Sequence, residues 1–193
     1  SWPPSSRRVA RRSSTCWKRS LTSSLRAVLL GRDYLKIYLE DHYAGATAGL
    51  ELARRSAGAN RGTLYGDVLD RIAREIEEDR DSLRAIMTDL DVAPDRFKMT
   101  AAWAGEKAGR LKLNGHLTGY SPQSRVIELE GLVIGVTGKR CLWTALRSVA
   151  GQEPRLRIDD LDLLIDRAER QLGELEEQRL KAVSEAVAAA DRA

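Results

Sequence analysis

Residues 121–136, SPQSRVIELEGLVIGV, decide the fold. By composition, VIELEGLVIGV is the one stretch of the chain that looks like a strand, rich in β-branched residues. Its start and spacing say otherwise. Ser121 offers a side-chain oxygen to the first free N–H groups of a helix, and Pro122 supplies the backbone angle of a first helical turn. The apolar residues that follow recur at helical spacing. The segment therefore reads as a buried helix reaching Val149, and the only candidate for a sheet disappears.

The same periodicity extends to both sides. Upstream, a first helix is expected from the low twenties or thirties to Ala57, closed by Gly58-Ala59-Asn60, where Gly and Asn favour left-handed termination. A second starts after Thr63, a good N-cap. It runs to Leu90 with Leu69, Ile72, Ile76, Leu83, Ile86 and Leu90 at three and four spacing. Pro94 opens a shorter helix carrying Phe97, Ala101, Ala104, Ala108 and Leu111, which ends near Asn114-Gly115. Downstream, Gly151 to Pro154 break the chain. Asp159 or Asp160 then caps a last helix with Leu161, Leu164, Ile165, Ala168, Leu172, Leu175 and Ala182 in register.

At 193 residues the chain can bury one sizeable core. Aromatics are 5% and Ala, Leu, Arg and Glu dominate, which favours helix. No apolar run reaches the roughly 18–20 residues of a membrane span. Two long helices, a shorter one and two more long helices predict an all-α fold: a four-helix bundle with an additional shorter helix in the connection between the two helix pairs.

Charge divides the chain. Residues 1–32 hold eight of the 32 basic residues and no acid, which leaves 24 basic against 28 acidic residues in the remainder. The body is mildly acidic, unlike a nucleic-acid-binding domain with its basic stripe on the folded surface. Residues 1–24 read as a basic, disordered tail and residues 25–190 as the helical domain. Three readings of the tail stay open: an arm touching phosphates or anionic lipid, an organelle transit peptide, or sequence upstream of the true start. Nucleic-acid contact is expected only through this tail. Cys16 and Cys141 have no metal or redox spacing, and two free thiols point to a reducing cytoplasm.

Gly45/Gly49, Gly105/Gly109 and Gly131/Gly135 are each four apart within predicted helices. A glycine there costs roughly 1 kcal/mol against alanine, so the pairs need a reason. Close helix packing is the expected one, with Trp103 or Trp143 or a neighbouring backbone filling the missing Cβ positions. The alternative is a groove for a ligand.

Ionisable residues also fall on apolar stripes. In YLEDHYAGATAG (residues 38–49), His42 follows Leu35 and Leu39 and precedes Ala46 and Gly49. Glu40 has no evident buried partner, and Asp41 sits at a face boundary. Asp79 lies between Ile72/Ile76 and Leu83/Ile86, and Glu130 between Ile127 and Ile134. Arg140 follows Val133 and Val136, and Arg179 follows Leu172 and Leu175. By contrast, Arg71, Glu75, Glu78 and Ser82 read as one solvated face, as do Arg167, Arg170, Gln171, Glu174, Glu177, Gln178 and Lys181.

The helix order and lengths, with acids inside the helices, resemble the ferritin-like superfamily over roughly residues 30–190. The resemblance implies a bundle and, in members with two metals, a Glu on each of two helices and Glu-x-x-His on the other two. Here Glu75/Glu78 and Glu174/Glu177 have the spacing of two acids without a histidine, and His116 lies in a Gly-flanked link. The two-metal signature is therefore incomplete. Two arrangements follow for the inward groups. In the first, His42, Asp79, Glu130, Arg140 and Arg179 form a buried polar network, since a buried charge needs a partner. In the second, His42, Asp79 and Glu130 hold a single iron or manganese.

Catalytic constellations are sparse. There is no second helical histidine for a Ser-His-Asp arrangement. Cys141 reads as a packing residue. GVTGKR lacks the spacing and preceding strand of a phosphate loop. The last helix offers an apolar seam that could pair with a second copy. The expected function is therefore interaction or scaffolding without catalysis, as a homo-oligomer or with a helical partner. The alternatives are an iron or manganese protein of oxidation or storage chemistry, and an acidic bundle tethered to nucleic acid or membrane by its basic arm.

Overall fold

A computed structural model of the chain describes residues 15–93 and 120–190. Four helices are described and, among the described residues, no strand: α1 (Thr15–Ala59), α2 (Leu64–Asp89), α3 (Pro122–Val149) and α4 (Ile158–Ala190). None of them is long and apolar enough to cross a membrane. The chain divides into two units, Ser1–Ile37 and Tyr38–Ala193. In the first, helix begins at Thr15, within the stretch expected as a tail, and Tyr34 and Ile37 are exposed. The second holds the rest of α1 and the other three helices, and the candidate site lies within it.

The helix starts follow the local chemistry read from the sequence. Thr63 accepts from the Gly66 N–H at 3.3 Å, and Ser121 from the Ser124 N–H at 3.1 Å, with Pro122 opening α3. The β-looking stretch is helical throughout. Leu129, Leu132 and Val136 of that stretch are buried, as are Trp143 and Leu146 further along α3, while Ile134 is exposed. α4 begins at Ile158, so Asp159 and Asp160 lie in its first turn, where negative charge suits the helix dipole.

Cross-helix pairs define the directions. Arg55 meets Glu128 and Leu52 meets Gly131, so α1 and α3 are antiparallel. Arg71, Glu75 and Glu78 meet Glu174, Gln171 and Arg167, so α2 and α4 are antiparallel. Arg125, Lys139 and Arg147 meet Glu185, Gln171 and Asp162, so α3 and α4 are antiparallel too. Consequently α2 and α3 run parallel. Their connection joins opposite ends of a bundle about 39 Å long, the length of a 26-residue helix. Arg155, in the α3–α4 link, bonds the Asp89 carbonyl and Asp91 at one end. At the other, Asn60 bonds the Tyr120 hydroxyl at 2.7 Å and accepts from Arg125 at 2.6 Å. The expected short helix, with Gly105, Gly109 and His116, lies outside the described residues.

The α1–α2 turn is built around one glycine the sequence reading passed over. A Cβ at Gly66 would stand 2.3 Å from the Asn60 carbonyl oxygen, so only glycine fits there. Gly62 in the same turn has φ +78°, in the left-handed region.

Candidate functional site

Asp79 is the most deeply buried acid among the described residues, with 1% of its surface exposed. It sits on the inner stripe of α2 between Ile76 and Leu83, as its spacing required. Lys139 on α3 donates from Nζ to Asp79 Oδ2 and to the Gln171 side-chain oxygen on α4. Arg167 stands 3.2 Å from Asp79 Oδ1, an ion-pair distance without a hydrogen bond, and donates to Glu78 at 2.8 Å. Gln171 donates to Glu75 at 2.8 Å, and Arg71 bridges Glu75 and Glu174. Burial pulls the Lys139 ammonium below its ordinary pKa, and the Asp79 carboxylate works against that shift.

This network differs in membership from the expected one. Asp79 belongs to it, but Lys139, Arg167 and Gln171 replace Arg140, Arg179 and His42. On α3 the inner stripe passes through Val136, Lys139 and Trp143 at three and four spacing; Arg140 is one residue on, about 100° round the helix. Arg140 pairs at the surface with Glu169 at 3.7 Å. Glu130 follows Leu129 and is likewise turned out, 3.6 Å from Arg179 with half its side chain exposed. Arg179 is half-buried, and its guanidinium bonds Glu176. On α4, Ala168, Gln171 and Leu175 form the stripe to which Leu172 was assigned. The solvated face of α2 is solvated at Glu78, whose side chain is 65% exposed, and at the same time pairs with α4 through Arg71, Glu75 and Glu78. The spacing carried the signal for Lys139, Arg167 and Gln171; their polarity hid it.

Next to Asp79 lies a cleft of about 260 Å³ between α1, α2 and α3. Its walls are largely apolar, with Ile76, Leu83, Leu132, Val136, Leu142 and Trp143. Gly45 and Gly49 of α1 and Gly131 and Gly135 of α3 complete it. The close packing expected of these glycines holds at one position. A Cβ on Gly131 would lie 3.0 Å from Leu52 Cδ2. At Gly45, Gly49 and Gly135 a Cβ would meet nothing within 4 Å among the described residues. Gly45 and Gly135 are exposed and Gly49 is half-buried, so the space beside them opens toward solvent. Trp143 is among the lining residues, and its indole N–H, itself without accessible surface, has no acceptor among the described residues.

His42 also lines the cleft, half-buried, with its ring edge-on to Tyr38 at 4.5 Å between centroids. Burial lowers its pKa and favours the neutral imidazole, and Asp41 opposes the shift. Glu40, for which the sequence suggested no buried partner, is buried at 7% exposure, and Asp41 is exposed at the cleft. Cys141, expected in the core, is an exposed free thiol. Of the three residues considered for a metal, His42 and Asp79 share the cleft and Glu130 does not line it. Among the described residues, no group of three or more His, Cys, Asp or Glu stands where it could hold a metal ion.

Chemically, the site is an apolar hollow with its charges already matched. Lys139 is engaged by Asp79 and Gln171, and Arg80 by Asp81 at 2.9 Å. Compared with protein-family models, curated proteins and solved structures, the chain matches none.

Proposed function

We propose that the protein is a non-catalytic bundle of ferritin-like topology whose role is interaction, exercised by binding a small apolar molecule in the α1–α2–α3 cleft. The observation that carries this reading is the open space at Gly45, Gly49 and Gly135. Each of those glycines is costly within a helix and is not repaid by close packing. Apolar hollows with a few placed polar groups are the usual form of a small-molecule site. Parallel α2 and α3, joined by one long connection, favour the ferritin-like topology.

Binding without turnover is favoured because the charged groups Lys139 and Arg80 at the cleft are paired with Asp79 and Asp81. A metal at His42 and Asp79 would have to displace Lys139 and Arg167 from the carboxylate. The iron or manganese alternative is therefore the weaker one; metal bound stoichiometrically after purification and lost in His42→Ala would restore it. The binding reading is tested by titrating naphthalene into the protein by calorimetry. Saturable binding is expected, and Gly135→Leu, which puts a side chain into the open space, is expected to abolish it with the helical spectrum unchanged. Absence of binding, or binding indifferent to Gly135→Leu, would sink the proposal.

A further inference from the structure

We infer that the basic start of α1, residues 15–32, lies along an anionic membrane surface and anchors the protein to it. Helix begins at Thr15, inside the stretch that holds no acid. Over these residues the sequence has two sides. Trp17, Leu21, Leu25 and Val28 recur at spacings of four, four and three, the positions of one helix face. Arg19 falls about 160° round the helix from both Trp17 and Leu21. Arg26 follows it by seven residues and shares that side. Arg32, four residues after Val28, ends the apolar series, and Asp33 is the first acid of the chain.

A helix with cations on its polar face and a tryptophan on its apolar face has the chemistry of the headgroup boundary. There the apolar side meets acyl chains, an indole sits at headgroup level and cations meet anionic headgroups. Charge selects this partner over two others. Residues 1–32 hold eight basic residues and no acid, so a second copy would bring eight like charges to the same stripe. A nucleic acid would satisfy the arginines but leave Trp17, Leu21, Leu25 and Val28 against a polar backbone. The segment does not span the bilayer either: Lys18, Arg19, Arg26 and Arg32 interrupt it, and no described helix is long and apolar enough to cross a membrane. The rest of the chain has 24 basic against 28 acidic residues. The same surface repels that part, which leaves the start of α1 as the point of contact.

Vesicles test this with the full chain. Cosedimentation is expected with vesicles containing phosphatidylglycerol and not with phosphatidylcholine alone, and it should weaken as salt is raised. Arg19→Gln/Arg26→Gln is expected to weaken binding roughly thirtyfold, each cation being worth about a fivefold change at such a surface. Leu21→Gln/Val28→Gln keeps every charge and is expected to weaken it at least about tenfold, because the apolar face no longer enters the lipid. Brominated acyl chains are expected to quench Trp17, read as the part of the fluorescence quenching that Trp17→Phe loses. That readout needs neither of the double variants. Failure of the wild type to bind the anionic vesicles would overturn the inference. So would tighter binding to duplex DNA than to those vesicles at equal salt. Unchanged binding by Leu21→Gln/Val28→Gln, with Trp17 unquenched, would also overturn it, leaving a basic arm that meets charge alone.

Discussion

Two faces of the bundle meet by opposite means. Between α2 and α4 the contact is a ladder of Arg71, Glu75 and Glu78 against Glu174, Gln171 and Arg167, ending inward on the Asp79–Lys139 pair. Between α1 and α3 the side chains thin out to glycine, and past the Leu52–Gly131 contact the space is left open. Polar groups brought together must satisfy one another, which fixes their geometry. Glycines impose no such demand, and whether the helices close on them depends on the side chains above and below. Here Leu52 at one level and the large Trp143 at another bracket the gap. The polar face is thus closed by its own pairs, and the glycine face borders the cleft.

The largest effect is expected from breaking the polar face at its buried end. Lys139→Met leaves the Asp79 carboxylate with Arg167 alone, and loss of about 3 kcal/mol is expected in chemical denaturation. Pairing it with Asp79→Leu removes the stranded charge and is expected to recover most of that loss. A double variant as unstable as the single one would mean that the pair is not what Lys139 supports.

Gly66→Ala sharpens the contrast among the glycines. Its Cβ would collide with the Asn60 backbone, a neighbour that cannot rotate away. A loss of about 2 kcal/mol is expected, and a variant as stable as the wild type would contradict the geometry of the α1–α2 turn.

A smaller effect concerns pH. Burial lowers the pKa of His42, so the unfolded chain takes up a proton at a pH where the folded one does not. Stability should therefore fall as pH drops below about 6.5, and level off once pH has passed the folded value. His42→Phe should flatten that part of the pH–stability curve. An unchanged slope would mean that the imidazole is solvated.

Much of the fold was legible. Thr63, Ser121 and Pro122 marked helix starts by chemistry that acts within one turn, so no distant contact was needed to find them. Asp79 was placed correctly because apolar residues bracket it on both sides. Its partners were not, for a physical reason: Lys139, Arg167 and Gln171 occupy stripe positions, but polarity argues for solvent unless another polar face is opposite. That pairing is a property of two helices, and neither helix carries it alone. The glycines posed the same difficulty. Four-residue spacing says that two missing Cβ atoms share a face, but it leaves open whether a neighbour fills the space. At Gly131 one does; at Gly45, Gly49 and Gly135 none does.

The central claim is that these last glycines border empty space, and the double variant Gly45→Ala/Gly135→Ala tests it most directly. Each methyl would enter open volume and remove the helix penalty of glycine, so equilibrium denaturation should give a stability gain of about 1–2 kcal/mol over the wild type. A loss of stability would mean that the helices close on these positions after all, and would contradict the account.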